Sequence, residues 1–170
     1  ALYVTQPKTL VETGYALLDQ MIEQYQIENR KENEKKKILI APSWQPENII
    51  DLCIEQILDK YKNTPYEVIV RPHPQQVRHQ MERFVEMQER YAKDDNITIQ
   101  TDFSSNSTVM DADLLITDWS DISFEYAFTT LKPVLFIDTP MKIMNPEYDK
   151  IEQKPINVTL RNVIGKAIYV

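Results

Sequence analysis

Glycine is scarce in this chain: there are two in 170 residues, and neither stands in a Gly-x-Gly setting. That scarcity excludes the glycine-rich dinucleotide fingerprint and the glycine-rich phosphate loop, both of which need backbone to approach a phosphate without a Cβ in the way. The lone cysteine, Cys53, cannot form an internal disulfide. Set among Ile50, Ile54 and Ile57, it reads as a buried helix residue in a reducing compartment. No apolar run approaches the roughly 20 residues that cross a bilayer, and the first residues carry no charged-then-apolar leader. The expectation is a soluble, cytoplasmic domain without a transmembrane segment. Basic residues are also in short supply, 19 Lys and Arg against 26 Asp and Glu, for a net charge of -7. A general nucleic-acid surface is excluded, because phosphate backbones are held by clustered cations. The one basic run, Lys35-Lys36-Lys37, precedes an apolar stretch and reads as a solvated gatekeeper.

What the chain does have is alternation. Leu17, Leu18, Met21, Ile22 and Tyr25 recur at helical spacing, so residues 1–30 form a connector and a first helix, followed by a charged stretch over 28–37. The apolar run 38–41 predicts a strand buried on both faces, and Pro42-Ser43-Trp44-Gln45-Pro46 ends it. A helix over 47–61, a strand over 66–70, a helix marked by Val77 to Tyr91 and a strand over 97–100 follow. After a polar loop and a short helical segment ending near Ala112 come a strand over 114–117, a helix over 120–130 and a strand over 133–137. Beyond Asp138 prolines interrupt the pattern, and only 167–170, after a turn at Gly165, resembles another strand. Strand alternating with helix at this spacing predicts right-handed crossovers and a doubly wound, Rossmann-like α/β domain with a parallel sheet. By length it is one domain, short for a complete two-substrate enzyme.

In such sheets ligands bind beyond the carboxyl ends of the strands, and the unusual polar groups fall there: Ser43 and Trp44, Arg71 and His73, Thr101 and Asp102, and Thr117 through Ser123. The two prolines of Arg71-Pro72-His73-Pro74 stiffen the loop around His73. His73 reads as a phosphate donor or general acid, or else as a cap on the next helix. Arg71 suits a phosphate, or an ion pair with an acid such as Asp118. In Leu114-Leu115-Ile116-Thr117-Asp118-Trp119-Ser120-Asp121-Ile122-Ser123-Phe124-Glu125 a strand breaks into a helix start, where free N–H groups and the dipole favour an anion. Ser43, Thr117, Ser120 and Ser123 are the candidate phosphate contacts, with Ser120 doubling as helix cap. Glu125 can accept from ribose hydroxyls or serve as a first-turn acid, and Trp44 can stack on a base or cover the sheet edge. Asp121 sits beside the phosphate site and would repel it unless turned outward. His79 reads as solvated, and Asp111-Ala112-Asp113 as a surface and a turn acid rather than a metal pair.

Together these residues resemble the CDP-glycerol:poly(glycerophosphate) glycerophosphotransferase family. The carriers are Val11-Glu12-Thr13-Gly14-Tyr15-Ala16-Leu17-Leu18-Asp19, Ile38-Leu39-Ile40-Ala41-Pro42-Ser43-Trp44, Arg71-Pro72-His73-Pro74, Leu115-Ile116-Thr117-Asp118-Trp119-Ser120, Phe124-Glu125-Tyr126-Ala127 and Lys132-Pro133-Val134-Leu135-Phe136. The resemblance implies the C-terminal, donor-nucleotide half of a two-domain GT-B architecture, with the acceptor half and its own catalytic histidine elsewhere. It implies that His73 contacts donor phosphates, Ser120 belongs to the phosphate site, and Glu125 holds the ribose. It further implies transfer of glycerol phosphate from CDP-glycerol to a polymer or lipid-linked acceptor, without a cofactor or required metal. Asp121 and Glu125 depart from the family pattern, which places a serine and an aspartate there. A GT-B glycosyltransferase using a UDP- or CMP-sugar and a flavodoxin-like binding module are the competing readings. As a donor half, the chain alone is expected to bind without transferring, and the whole enzyme to sit peripherally at the inner face of the cell membrane.

Overall fold

In the computed structural model, which describes Thr9, residues 11–28 and residues 32–169, six parallel strands form one sheet in the order β3-β2-β1-β4-β5-β6. The strands are β1 (Lys37–Ile40), β2 (Glu67–Val70), β3 (Ile97–Ile99), β4 (Leu114–Thr117), β5 (Val134–Ile137) and β6 (Gly165–Ile168). Between them run α1 (Ala16–Ile27), α2 (Ile49–Leu52), α3 (Ile54–Tyr61), α4 (Pro74–His79), α5 (Met81–Arg90), α6 (Ser107–Asp111), α7 (Ile122–Thr130), α8 (Ile156–Thr159) and α9 (Arg161–Ile164). A 3-10 turn lies at Tyr148–Lys150. This is a doubly wound, Rossmann-like sheet.

The pleat explains why both faces are covered. Ile38 and Ile40 enter one core with Val68, Val70, Phe84 and the apolar stripe of α2 and α3, while Leu39 between them enters the other with Leu115, Phe136 and Tyr126 of α7. Strands buried on both sides need continuous apolar runs, and β1 and β4 have them.

Four expectations need correction. The helix over 47–61 is two helices, broken at Cys53 with φ -150° and ψ 8°; Asn48 caps the first, its Oδ1 accepting from Ile50 N–H at 2.8 Å. The helix through Val77 and Tyr91 is likewise two, broken at Gln80. The helix placed over 120–130 begins at Ile122, so Ser120 lies outside it. Gly165 opens β6 rather than forming a turn before it, and Val170 lies outside the described residues. Cys53 is buried in the core as expected.

Candidate donor-nucleotide site

The order of the sheet reverses between β1 and β4, and the loops leaving these two strands go to opposite faces. A crevice opens at such a point. Its floor is built by Asp118, 1% exposed at the end of β4. One carboxylate oxygen accepts from the Ser43 N–H at 2.7 Å and the Trp119 N–H at 2.6 Å; the other accepts from the Ile49 N–H at 3.2 Å. Asp118 therefore ties the β1 loop to the start of α2. Arg161, from α9, locks the arrangement by donating to the Asp118 carbonyl and to Asp138 Oδ1, both at 3.0 Å, with its guanidinium 3.9 Å from the Trp119 ring centre. Arg71 makes no pair with Asp118. It donates instead to the Ser105 carbonyl at 2.9 Å and Asn106 Oδ1 at 3.2 Å, over the Phe103 ring.

Above this floor lies a cleft of about 270 Å³ that brings together Ser43, Trp44, His73, Ser120 and Glu125. The Ser43 hydroxyl is buried with no hydrogen-bond partner, a cost that a ligand acceptor or donor would relieve. The α7 N-terminus lies nearby: Asp121 before it makes no side-chain cap bond, the Ser123 and Phe124 N–H groups donate to the Ser120 and Asp121 carbonyls at 3.2 and 3.3 Å, and Ile122, the first residue of the helix, lines the cleft. Lys142 and Asp121 also line the cleft, the lysine unanticipated and the aspartate not turned away. The wall thus carries hydrogen-bond donors and the Lys142 cation on one hand and the carboxylates of Asp121 and Glu125 on the other. That mixture suits a ligand having both phosphates and hydroxyls.

His73 serves as a cap and also lines the cleft. It is the N-cap of α4, with Nδ1 accepting from the Gln75 N–H at 3.1 Å. An accepting Nδ1 assigns the proton of the neutral ring to Nε2, which is then a donor. Burial, and after it the charge of Lys142, holds the imidazole below the usual histidine range, so at neutral pH the ring is neutral. Trp44 stacks against it at 5.9 Å between centres and on its other contact meets His79, also at 5.9 Å. His79 is exposed but part of this stack rather than free in solvent.

Other candidates fall elsewhere. The Thr117 hydroxyl is fully buried and donates to the Ala41 carbonyl at 2.6 Å, and Ser123 is buried on α7; neither lines the cleft. Arg71 lines a neighbouring, mostly apolar cleft of about 160 Å³ that shares His73, Ser120 and Ile122 with the first. Asp113 spends its carboxylate on Asn33, the Lys37 N–H and Lys132. Glu125 accepts a hydrogen bond from the Tyr15 hydroxyl. Among the described residues no cluster of His, Cys, Asp and Glu could hold a metal ion, and no helix is long and apolar enough to cross a membrane.

Comparison with solved structures finds the wall teichoic acid polymerase TagF. A His-to-Asn variant with CDPG is 23% identical over 70% of this chain and 27% of that chain, with a TM-score of 0.43. Another TagF structure is 14% identical over 88% of this chain and 35% of that one, with a TM-score of 0.45. The chain thus spans about a third or less of the length of these structures. A search of curated proteins finds no match. The family model described as CDP-Glycerol:Poly(glycerophosphate) glycerophosphotransferase matches residues 1–143, most of the sequence, and the chain belongs to that family.

Proposed function

We propose that this chain is the donor-nucleotide half of a transferase that moves glycerol phosphate, or a related polyol phosphate, from a CDP-linked donor to a cell-envelope polymer or lipid-linked acceptor. The observation that carries the reading is the buried, unpartnered Ser43 hydroxyl in a cleft that is also lined by Ile122, the first residue of α7. Family membership supplies the substrate class. In the proposed step the acceptor hydroxyl oxygen bonds to the donor's β-phosphorus as that phosphorus loses the bridging oxygen. CMP departs with the bridging oxygen, and the hydroxyl proton passes to a base in the acceptor-binding half. His73 Nε2–H and Lys142 offset charge on the departing phosphate, and Arg71 acts from the adjoining cleft. No metal enters the step, and a lipid-linked acceptor would place the whole enzyme at the inner face of the cell membrane.

Calorimetric titration with CDP-glycerol, CMP and UDP-sugars tests the reading. CDP-glycerol binds, and Ser43→Ala weakens it about tenfold, the worth of one hydrogen bond to a charged group. A response to UDP-sugars alone overturns the substrate assignment, and full transfer activity in His73→Ala favours a bare binding module. Turnover of the whole enzyme survives EDTA if the step is metal-free.

A further inference from the structure

The segment around Gly14 and Tyr15 enters none of the chemistry above, yet it reaches Glu125, a residue that lines the cleft. Gly14 has φ +71°, a left-handed turn that glycine adopts without strain, and it turns the chain into α1. Tyr15, at the N-cap of α1, then places its hydroxyl on Glu125 Oε1, 110 residues away in sequence. Glu125 lines the cleft one helical turn beyond Asp121, on the same side of α7. The tyrosine is 44% exposed, so hydrophobic burial does not account for its position.

We infer that Tyr15 is a positioning residue for Glu125, and that the pair makes the cleft select ribonucleotide over deoxyribonucleotide donors. The inference rests on the donor-site reading above. A carboxylate accepts about four hydrogen bonds, so one taken by Tyr15 leaves the others for vicinal hydroxyls. A phenol fixes the carboxylate without neutralising it, as Lys or Arg would, and so preserves its strength as an acceptor. The hydrogen bond to Glu125, with burial and the nearby charges adding to it, pushes the Tyr15 pKa up to about 12; the phenol therefore stays a donor throughout the working range. A site with a fixed acceptor discriminates strongly against a ligand that lacks the hydroxyl, because the acceptor is then left unsatisfied.

The test compares dissociation constants for CDP and 2′,3′-dideoxy-CDP in the wild type, Tyr15→Phe and Glu125→Gln. The wild type prefers CDP by at least about tenfold. Tyr15→Phe, which keeps the ring, weakens CDP several-fold, leaves the dideoxy nucleotide unchanged, and adds nothing when combined with Glu125→Gln. In the whole enzyme the same variant raises KM for the donor and spares kcat. Equal weakening of both nucleotides indicates a merely structural tyrosine and overturns the inference. An unchanged preference overturns it as well, while the donor site stands. Failure of the wild type to bind either nucleotide overturns both.

Discussion

His73 carries two duties that substitution can separate. As an N-cap, its Nδ1 satisfies the Gln75 N–H; as a residue lining the cleft, its Nε2–H is the proposed donor to the ligand. His73→Ala removes both, lowering unfolding free energy by about 1 kcal/mol. His73→Asn restores the cap with a short side chain and keeps that stability, yet loses donor affinity as the alanine variant does. Urea unfolding and calorimetry on the two variants check this. The same geometry sets a pH dependence. Burial and Lys142 depress the folded-state pKa below the unfolded value of about 6.5, so the unfolded chain takes the proton more readily. The contribution to stability is complete above that value and declines as pH falls from it toward the folded pKa. A protonated Nδ1 also cannot accept from Gln75. The urea midpoint of the wild type should therefore drop between pH 7 and pH 5 by more than that of His73→Asn; equal drops would assign the acid sensitivity to other groups.

At the scale of elements, what was legible followed from burial and what was not followed from backbone detail. The strands β1, β4 and β5 announce themselves as short apolar runs because both faces of the sheet are covered. The break at Cys53 does not, since Ile49, Ile50, Cys53, Ile54 and Leu58 share one stripe whether or not the helix is interrupted, and no Gly or Pro marks the site. Residue types in the site were legible, but their partners were not: Thr117 gives its hydroxyl to Ala41, 76 positions away, a pairing set by the register of β1 against β4. Lys142 and Arg161 lie in a proline-interrupted region without periodicity, which hid both. The two glycines separate two meanings of that residue. At Gly165 an added Cβ would sit 1.9 Å from the Val134 carbonyl oxygen, in backbone that any residue can adopt. Gly165→Ala must push β6 from β5 and costs about 3 kcal/mol, the upper range for overpacking. At Gly14 a Cβ meets nothing within 4 Å, and Gly14→Ala pays only for the left-handed backbone, about 1 kcal/mol. Chemical denaturation of the pair gives the order, and a reversal would mean that β6 shifts freely on the sheet edge.

The whole molecule opposes the ligand that its cleft is proposed to hold. A domain of net charge -7 repels an anionic nucleotide at long range, and within the cleft Lys142 stands against Asp121 and Glu125. Recognition must then rest on short-range contacts: the Ser43 hydroxyl, the first residue of α7 and His73, which act only once the ligand has arrived. Raising ionic strength from 0.01 M to 0.15 M shortens the screening length from about 30 Å to about 8 Å, which removes the approach barrier while leaving close contacts in the cleft largely intact. Association of CDP-glycerol should accordingly speed up with added salt, on the order of twofold, opposite to the behaviour of basic nucleotide-binding surfaces. Trp44, half exposed beside His73, supplies the fluorescence signal for stopped-flow mixing. Lys142→Ala should slow association at every salt concentration and steepen the acceleration, because it removes the one cation that lines the acidic cleft among the described residues. If association instead slows with salt, a local positive potential governs entry, and the phosphate contacts lie nearer to Lys142 and Arg71 than to α7.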